Sequence, residues 1–223
     1  STYDASEFDT LYENNKANFS LDEIAGLRFC SLTSSTITSA CTTSFQNYIT
    51  AIDNFQSVGV IVFANGNISS DSDSAWLSTL PYWYKGGTDG QGNSIEDLSD
   101  AWLSVNYADF TGADMVGIIE SEFTIKGNPC GKAKEYCLTV DDFQINHSAW
   151  YDESNGDNNY LTGQGGSSYG APMVSGGVAL VKQAFPNHTP EQIVDRILAS
   201  ANNTWFTPSG NTTFTTHGAS ITH

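Results

Sequence analysis

The stretch from Gly166 to Gly177 has residue types that could perform nucleophilic chemistry. It reads Gly-Ser-Ser-Tyr-Gly-Ala-Pro-Met-Val-Ser-Gly-Gly, which predicts a glycine-rich loop leading into a buried helix. Ser168 would lie at or near the N-terminus of that helix, where backbone N–H groups lack intrahelical partners and carry partial positive charge. This environment suits a nucleophile whose reaction forms an oxyanion. It also suits a serine that only caps the helix, so the residues alone leave both interpretations open.

The same stretch resembles the Gly-Thr-Ser-Met-Ala-Ala-Pro-His-Val-Ala-Gly signature of subtilisin-like serine proteases. The identical residues are Gly166, Ser168, Ala171, Pro172, Val174 and Gly176. The replacements, such as Ser167 for Thr and Met173 for a non-catalytic His, are mild. The resemblance implies that Ser168 is the nucleophile of a serine endopeptidase that hydrolyses peptide bonds through an acyl-enzyme.

A second segment carries the resemblance upstream of this one. Phe63-Ala64-Asn65-Gly66-Asn67 is similar to the family's Ala-Ala-Gly-Asn motif, whose asparagine donates a hydrogen bond to the oxyanion, and the match falls on Asn67. An amide at the C-terminal end of a strand lies where open α/β sheets bind ligands. Asn-Gly-Asn is also a strong turn sequence, so a plain turn residue is the alternative. The resemblance further implies that residues 64–66 approach the specificity pocket.

The elements that must position these residues can be read from the apolar pattern. Apolar residues at helical spacing predict an amphipathic helix over 43–56, and a continuous apolar run predicts a strand buried on both faces over 58–64. Helix followed by buried strand indicates an α/β fold. The resemblance makes this a three-layer subtilisin-like fold with a largely parallel sheet.

The remaining secondary-structure elements are predicted from different kinds of sequence signal. We expect strands at 101–106 and 115–119, a hairpin or loop over 120–137, and a buried apolar helix over 171–184. Thr189, Pro190 and Gln192 predict the capping box of a last helix, whose inward face carries Ile193, Ile197 and Leu198. Residues 1–40 show little periodicity, and 65–100 and 151–166 have the composition of loops.

Four cysteines form two close pairs, Cys30 with Cys41 and Cys130 with Cys137. Even number and local spacing favour two disulfides in an oxidising compartment, each worth on the order of 2–3 kcal/mol. Free structural thiols are an alternative, and a zinc site would need tighter pairs with nearby histidine. Residues 128–140 resemble the Cys-Gly-x-Ala-x-x-x-Cys-x-x-Ala segment of autotransporter-type subtilisin-like proteases. That resemblance implies a secreted or cell-surface protein exported by a Gram-negative bacterium.

The histidine and aspartate of a serine protease triad have no match in this sequence. The family's Asp-Ser/Thr-Gly and His-Gly-Thr-His motifs precede the asparagine motif, whereas the four histidines, His147, His188, His217 and His223, all follow Asn67. We therefore interpret residues 1–223 as one partial domain, the later part of a protease, with clearest similarity over 43–67 and 125–201. The chain alone is then expected to be inactive, and its partner is an upstream segment carrying Asp and His. A nicked two-chain enzyme and a non-catalytic binding or adhesive passenger domain are the alternatives.

The amino-acid composition limits the classes of molecule that this protein is expected to bind. The 223 residues include 8 Lys+Arg against 25 Asp+Glu, a formal charge of −17, which argues against nucleic-acid binding through a basic surface and against contact with anionic membranes. The expected partner is a polypeptide substrate, and no cofactor is required. The acidic segments 71–73 and 152–157 offer oxygen ligands for a structural calcium ion, or are simply solvated loops.

Overall fold

The computed structural model describes residues 4–30, 38–110, 123–141, 145–148, 160–201, 213–216 and 219–222. The α-helices of this part are α1 Ala5–Asn15, α2 Leu21–Cys30, α3 Ser39–Gln56, α4 Leu80–Trp83, α5 Ser167–Ala184 and α6 Pro190–Ser200, with 3-10 helices at Trp76–Thr79 and Gly131–Tyr136. The strands are β1 Ile61–Ala64, β2 Trp102–Phe110, β3 Phe123–Ile125, β4 Cys137–Asp141, β5 Ile145–Ser148, β6 Tyr160–Gln164, β7 Thr213–Thr216 and β8 Ala219–Thr222.

The main sheet is built around β2. Strand β1 runs parallel to β2 with Ile61 opposite Trp102, and β4 runs parallel to it with Cys137 opposite Ser104. Since these two pairings overlap along β2, β1 and β4 lie on its opposite edges. The short strand β3 pairs antiparallel with the end of β2, and β5–β6 and β7–β8 form separate antiparallel pairs. The open parallel sheet confirms the predicted α/β class.

Helices cover both faces of this sheet, which gives three layers. On one face, α5 packs so closely that a Cβ atom at Gly170 would lie 2.7 Å from a methyl group of Val140 and 3.0 Å from one of Val105. On the other face, Phe63 stacks on Trp102 at 5.4 Å and both join the apolar core formed with α1, α2 and α3. Alternation along each strand sends neighbouring side chains to opposite layers.

Two helices occur where the sequence showed little periodicity. Asp4 caps α1 by accepting hydrogen bonds from the backbone of Ser6 and Glu7, and Phe8 is buried on its inner side. Helix α2 begins with a reciprocal pair in which the Glu23 N–H donates to Ser20 Oγ and the Ser20 N–H donates to Glu23 Oε2. The low apolar periodicity of residues 1–40 therefore did not reveal these two helices. The Ser-x-x-Glu capping box was a readable signal for α2.

Burial of the central segments differs from the prediction. The strand predicted over 58–64 begins only at Ile61, because the backbone N–H groups of Val58 and Gly59 both donate to the Phe55 carbonyl at the end of α3. The strand that forms, β1, is half-buried and not fully buried as predicted. Helix α5 is present as predicted, but Met173 and Leu180 are 42% and 68% exposed. Among the described elements, α5 packs chiefly against β1, β2 and α6, which cover one side of it.

Several other predictions are confirmed. Helix α3 includes the predicted range and is capped by Thr38, and β2 covers residues 102–106 of the strand expected at 101–106. Helix α6 has the predicted capping box between Thr189 and Gln192, with Ile193 buried. The loop expected over 65–100 is only partly irregular, because it contains a 3-10 helix and α4, and Trp76, Trp83 and Tyr84 belong to the core.

The expected irregular segments are only partly described. The predicted hairpin or loop over 120–137 contains β3 and a 3-10 helix, and the end of the predicted 151–166 loop is strand β6. The strand expected at 115–119 lies outside the described residues.

Both cysteine pairs lie at disulfide distance. The Cα atoms of Cys30 and Cys41 are 5.5 Å apart, and those of Cys130 and Cys137 are 5.9 Å apart. The free-thiol and metal alternatives are thereby excluded for this structure. In the described part of the chain, no helix has both the length and the apolar character needed to cross a membrane.

Candidate active site

Ser168 and Asn67 lie at the same end of the molecule and border one cavity. Asn67 follows the C-terminal end of β1, and Ser168 belongs to the first turn of α5. The cavity has a volume of about 350 Å³. Its lining consists of Phe63, Ala64, Gly66, Asn67, Ile68, Ala75, Trp76, Leu77, Ser167 and Ser168. The structure thus brings together the two residues that the sequence motifs single out.

Ser167 fixes the orientation of the Asn67 amide. The Asn67 Oδ1 atom accepts hydrogen bonds from the Ser167 N–H at 2.9 Å and from the Ser167 hydroxyl at 2.7 Å. Because a backbone N–H can only donate, the atom facing it must be the amide oxygen. The amide nitrogen, which is the donor end of Asn67, therefore points away from this contact.

The two neighbouring serines have different environments. Ser167 is 1% exposed, and its hydroxyl both donates to Asn67 and accepts from the Gly66 N–H at 3.2 Å. Ser168 is exposed to solvent and borders the cavity. A buried hydroxyl engaged in two hydrogen bonds is poorly placed to attack a substrate. Ser168 is consequently the serine that a substrate can reach.

Gly166 permits the close approach between the loop and Asn67. Its φ of +129° is a conformation that other residues rarely adopt. A Cβ atom at this position would lie 3.2 Å from Asn67 Oδ1 and 3.3 Å from Nδ2. Glycine is therefore required both for the backbone path and for the space that the amide occupies.

The N-terminus of α5 supplies the electrostatics of the site. Ser168 lies in the first helical turn, whose N–H groups have no partner within the helix and carry the positive end of the helix dipole. Together with the Asn67 amide, the Ser168 N–H can provide two donors for an oxyanion formed by attack of the Ser168 hydroxyl. Two such donors beside a hydroxyl are the groups that acyl-transfer chemistry uses.

The cavity lining contains no charged side chain, and its largest members are apolar. Phe63, Trp76 and Leu77 form most of its apolar surface together with Ile68 and two alanines. None of these groups ionises near neutral pH. The cavity therefore suits an uncharged, apolar group next to Ser168.

Two buried asparagines support the loop and were not found from the sequence. Asn65 has no exposed surface, and its amide nitrogen donates to the carbonyl oxygens of Asn128 at 3.1 Å and Pro129 at 2.7 Å. Its Oδ1 atom accepts from the hydroxyl groups of Ser78 and Ser104, both at 2.9 Å. Asn128 is equally buried. Isolated asparagines have the same sequence signature as turns, so no local pattern marks this role.

Among the residues whose side chains the structure describes, no histidine borders the cavity. His188 lies between α5 and α6, with its ring 5.0 Å from that of Phe185. His147 is on β5, and His217 and His223 lie outside the described residues. His188, whose side chain the structure describes, is thus not positioned as the base of Ser168.

The acidic segment 71–73 is used for internal contacts. Asp71 accepts a hydrogen bond from the Asn128 amide at 2.8 Å. Asp73 accepts from the backbone N–H groups of Ser74 and Lys132, and its carboxylate lies 2.9 Å from Lys132 Nζ. The described residues contain no group of three or more His, Cys, Asp and Glu side chains suited to a metal ion. The other acidic segment, 152–157, lies outside the described residues.

Comparison with models of protein families identifies a match over most of the chain. The sequence profile of the subtilase family matches residues 20–218, which is most of the chain. The matched range includes both Asn67 and Ser168. A search among curated proteins found no match.

Proposed function

This chain belongs to the subtilase family of serine peptidases, and from that premise we propose that it hydrolyses peptide bonds through Ser168. The observation that carries the proposal is the shared cavity of Ser168 and Asn67 at the N-terminus of α5. Because the exposed Ser168 and Asn67 both line this cavity, it supports attack by the Ser168 hydroxyl beside two oxyanion donors. The buried Ser167 is assigned the separate role of orienting Asn67.

The proposed reaction proceeds in two steps. The Ser168 hydroxyl attacks the scissile carbonyl, and the resulting oxyanion accepts hydrogen bonds from the Ser168 N–H and the Asn67 amide. Collapse of this intermediate releases the amine and leaves an acyl group on Ser168, which water then removes. A serine hydroxyl is a weak nucleophile without a base. We assign the base and its orienting carboxylate to histidine and aspartate residues on a segment upstream of this chain.

The cavity defines the proposed substrate more closely. A volume of about 350 Å³ lined by uncharged residues can accept a large apolar side chain next to the scissile bond. A charged side chain would lose its hydration there without gaining an opposite charge. We therefore expect cleavage after aromatic or large aliphatic residues.

We further propose that the protein acts outside the cell. The two disulfides fit an extracellular protein, since such bonds persist in oxidising compartments. The bridge between Cys130 and Cys137 lies in the segment that resembles autotransporter-type proteases, which supports export by a Gram-negative bacterium. Partners in this proposal are polypeptides.

Peptide hydrolysis by the full-length product of the gene tests the proposal. We expect cleavage after Phe or Leu in preference to Lys or Glu, and loss of nearly all cleavage in Ser168→Ala. Ser175→Ala is the matched control, because Ser175 lies on the exposed side of the same helix and its hydroxyl only bonds back to the Ala171 carbonyl. Equal activity of Ser168→Ala and the control would refute the role of Ser168. A folded full-length protein that cleaves no peptide would favour the alternative, a binding or adhesive passenger domain.

A further inference from the structure

We propose that Asn128 is a positioning residue that holds Asn67 in place for oxyanion binding. The inference rests on the proposed function, since it assigns Asn128 a role in the geometry of that site. Asn128 lies in the chain far from both motifs and does not border the cavity. It would act only through the backbone on the two sides of Asn67.

Asn128 contacts the peptide groups before and after Asn67. Its backbone N–H donates to the Gly66 carbonyl at 3.2 Å, and its side-chain Oδ1 accepts from the Ile68 N–H at 2.9 Å. The two contacts enclose Asn67 between them. Rotation of the Asn67 backbone would break at least one of these bonds, so the position of the Asn67 Cα atom is fixed from both sides.

The other end of the Asn128 side chain is anchored just as firmly. Its amide nitrogen donates to the Asp71 carboxylate at 2.8 Å and to the Asp73 carbonyl at 3.0 Å. Both amide hydrogens are thus used, and the bond to Asp71 is strengthened by the charge of the acceptor. Asn128 itself has no exposed surface, so its side chain has no access to water as an alternative partner.

This set of bonds requires an amide. Aspartate could still accept from Ile68, but its second oxygen would face the Asp71 carboxylate and the Asp73 carbonyl without a hydrogen to share. Alanine would remove the bond to Ile68 and leave the Ile68 N–H and the Asp73 carbonyl unpaired. Asn67 is itself exposed, and of its side-chain atoms Oδ1 is held by Ser167. Its placement therefore depends on the backbone that Asn128 holds.

A double-mutant cycle with Asn67 tests the inference in the full-length protein. We expect Asn128→Ala to lower kcat by about 10- to 100-fold with little change in KM, because a displacement near 1 Å in a reacting geometry costs on that order. In the Asn67→Ala background, the same substitution should lower kcat by less than about 2-fold. Independent, multiplying effects in the two backgrounds would overturn the inference.

Exchange of the amide and the carboxylate between positions 128 and 71 provides the matched control. Asn128→Asp should lower kcat as Asn128→Ala does, whereas Asn128→Asp combined with Asp71→Asn returns an amide donor to the pair and should restore much of the loss. Absence of any restoration, with both proteins folded, would contradict the inference. Amide hydrogen exchange at Ile68 supplies a readout that needs no activity, and we expect faster exchange in Asn128→Ala than in the parent.

The outcomes separate this inference from the proposed function. If the parent protein cleaves no peptide, the proposed function fails, while faster Ile68 exchange in Asn128→Ala would still show that Asn128 holds the loop. If the parent cleaves peptides and Asn128→Ala cleaves them with unchanged kcat, the positioning role fails and the proposed function stands.

Discussion

At the scale of single residues, the groups available to a substrate are those polar atoms that make no hydrogen bond within the protein. Ser167 uses both its donor and an acceptor position within the protein, whereas Ser168 remains exposed at the cavity. Asn67 has its oxygen engaged by Ser167, which leaves the nitrogen as the end that can serve a substrate. This difference supports the proposed roles of Ser168 as nucleophile and Asn67 as oxyanion donor.

Substitution of Asn67 tests the oxyanion role. We expect Asn67→Ala to lower kcat of the full-length protein by roughly 10²–10³-fold, a range known from removal of the matching donor in a subtilisin. Asn67→Asp keeps the acceptor for Ser167 but replaces the donor by an oxygen, so it should lose at least as much. Steady-state kinetics on one peptide substrate measure both. An unchanged kcat in Asn67→Asp would contradict the assignment.

Sequence motifs identify Ser168 and Asn67, and the structure places both on one cavity. The supporting residues Asn65, Ser167 and Asn128 could not be assigned in the same way. Their roles arise from contacts between distant parts of the chain, such as the hydrogen bond that the Ile68 N–H donates to Asn128 Oδ1. Asparagine and serine in such places have the composition of an ordinary turn, and only the fold distinguishes the two.

At the scale of secondary-structure elements, capping residues indicated where helices begin more reliably than apolar composition indicated which helices are buried. Helix α6 follows its capping box as predicted, and α2 has an equivalent box at Ser20 and Glu23. The apolar composition of α5 predicted a buried helix, but α5 is partly exposed. An apolar helix is buried only when other elements pack around all of it. Among the described residues, Met173 and Leu180 lie on its uncovered side.

The start of α2 gives a prediction about pH. Burial raises the pKa of Asp89, but hydrogen bonds from the backbone N–H groups of Leu21, Asn93 and Gln91 and from the Asn93 amide outweigh it and hold the pKa below its ordinary value. The unfolded chain then binds more protons than the folded one at acidic pH. The contribution of Asp89 is therefore complete above the ordinary aspartate pKa and is lost as pH falls through the lowered one.

Urea unfolding between pH 7 and pH 3 measures this contribution. We expect Asp89→Asn to be less stable than the parent at pH 7, by about 1–2 kcal/mol for the lost hydrogen bonds. Its free energy of unfolding should also fall less steeply with decreasing pH. Asp100→Asn, on an exposed turn, serves as the control. Parallel curves for Asp89→Asn and the parent would refute the linkage.

At the scale of the whole molecule, the two disulfides fit an extracellular protein, since such bonds persist in oxidising compartments. The bridge from Cys130 to Cys137 closes the 3-10 helix Gly131–Tyr136 next to the loop that supports Asn67. The Cys130 carbonyl also accepts a hydrogen bond from Ser74. The bridge thus lies between the sheet and the site.

Removal of this bridge should lower stability. We expect the double substitution Cys130→Ser and Cys137→Ser to reduce the free energy of unfolding by about 2–3 kcal/mol, since a short closed loop restricts the unfolded chain by that amount. Denaturant titration without reductant measures it. Addition of reductant to the parent should reproduce at least this loss, and an unchanged midpoint in the double variant would contradict the expectation.

The central claim, that Ser168 is an activated nucleophile, is tested most directly by a fluorophosphonate probe followed by peptide mass spectrometry. In the full-length gene product, we expect the adduct on Ser168 in the parent and, more slowly, in Ser167→Ala, and no adduct in Ser168→Ala. The contradicting result is a folded protein, with Asp-Ser/Thr-Gly and His-Gly-Thr-His motifs upstream, in which Ser168 stays unlabelled or the adduct lies on Ser167.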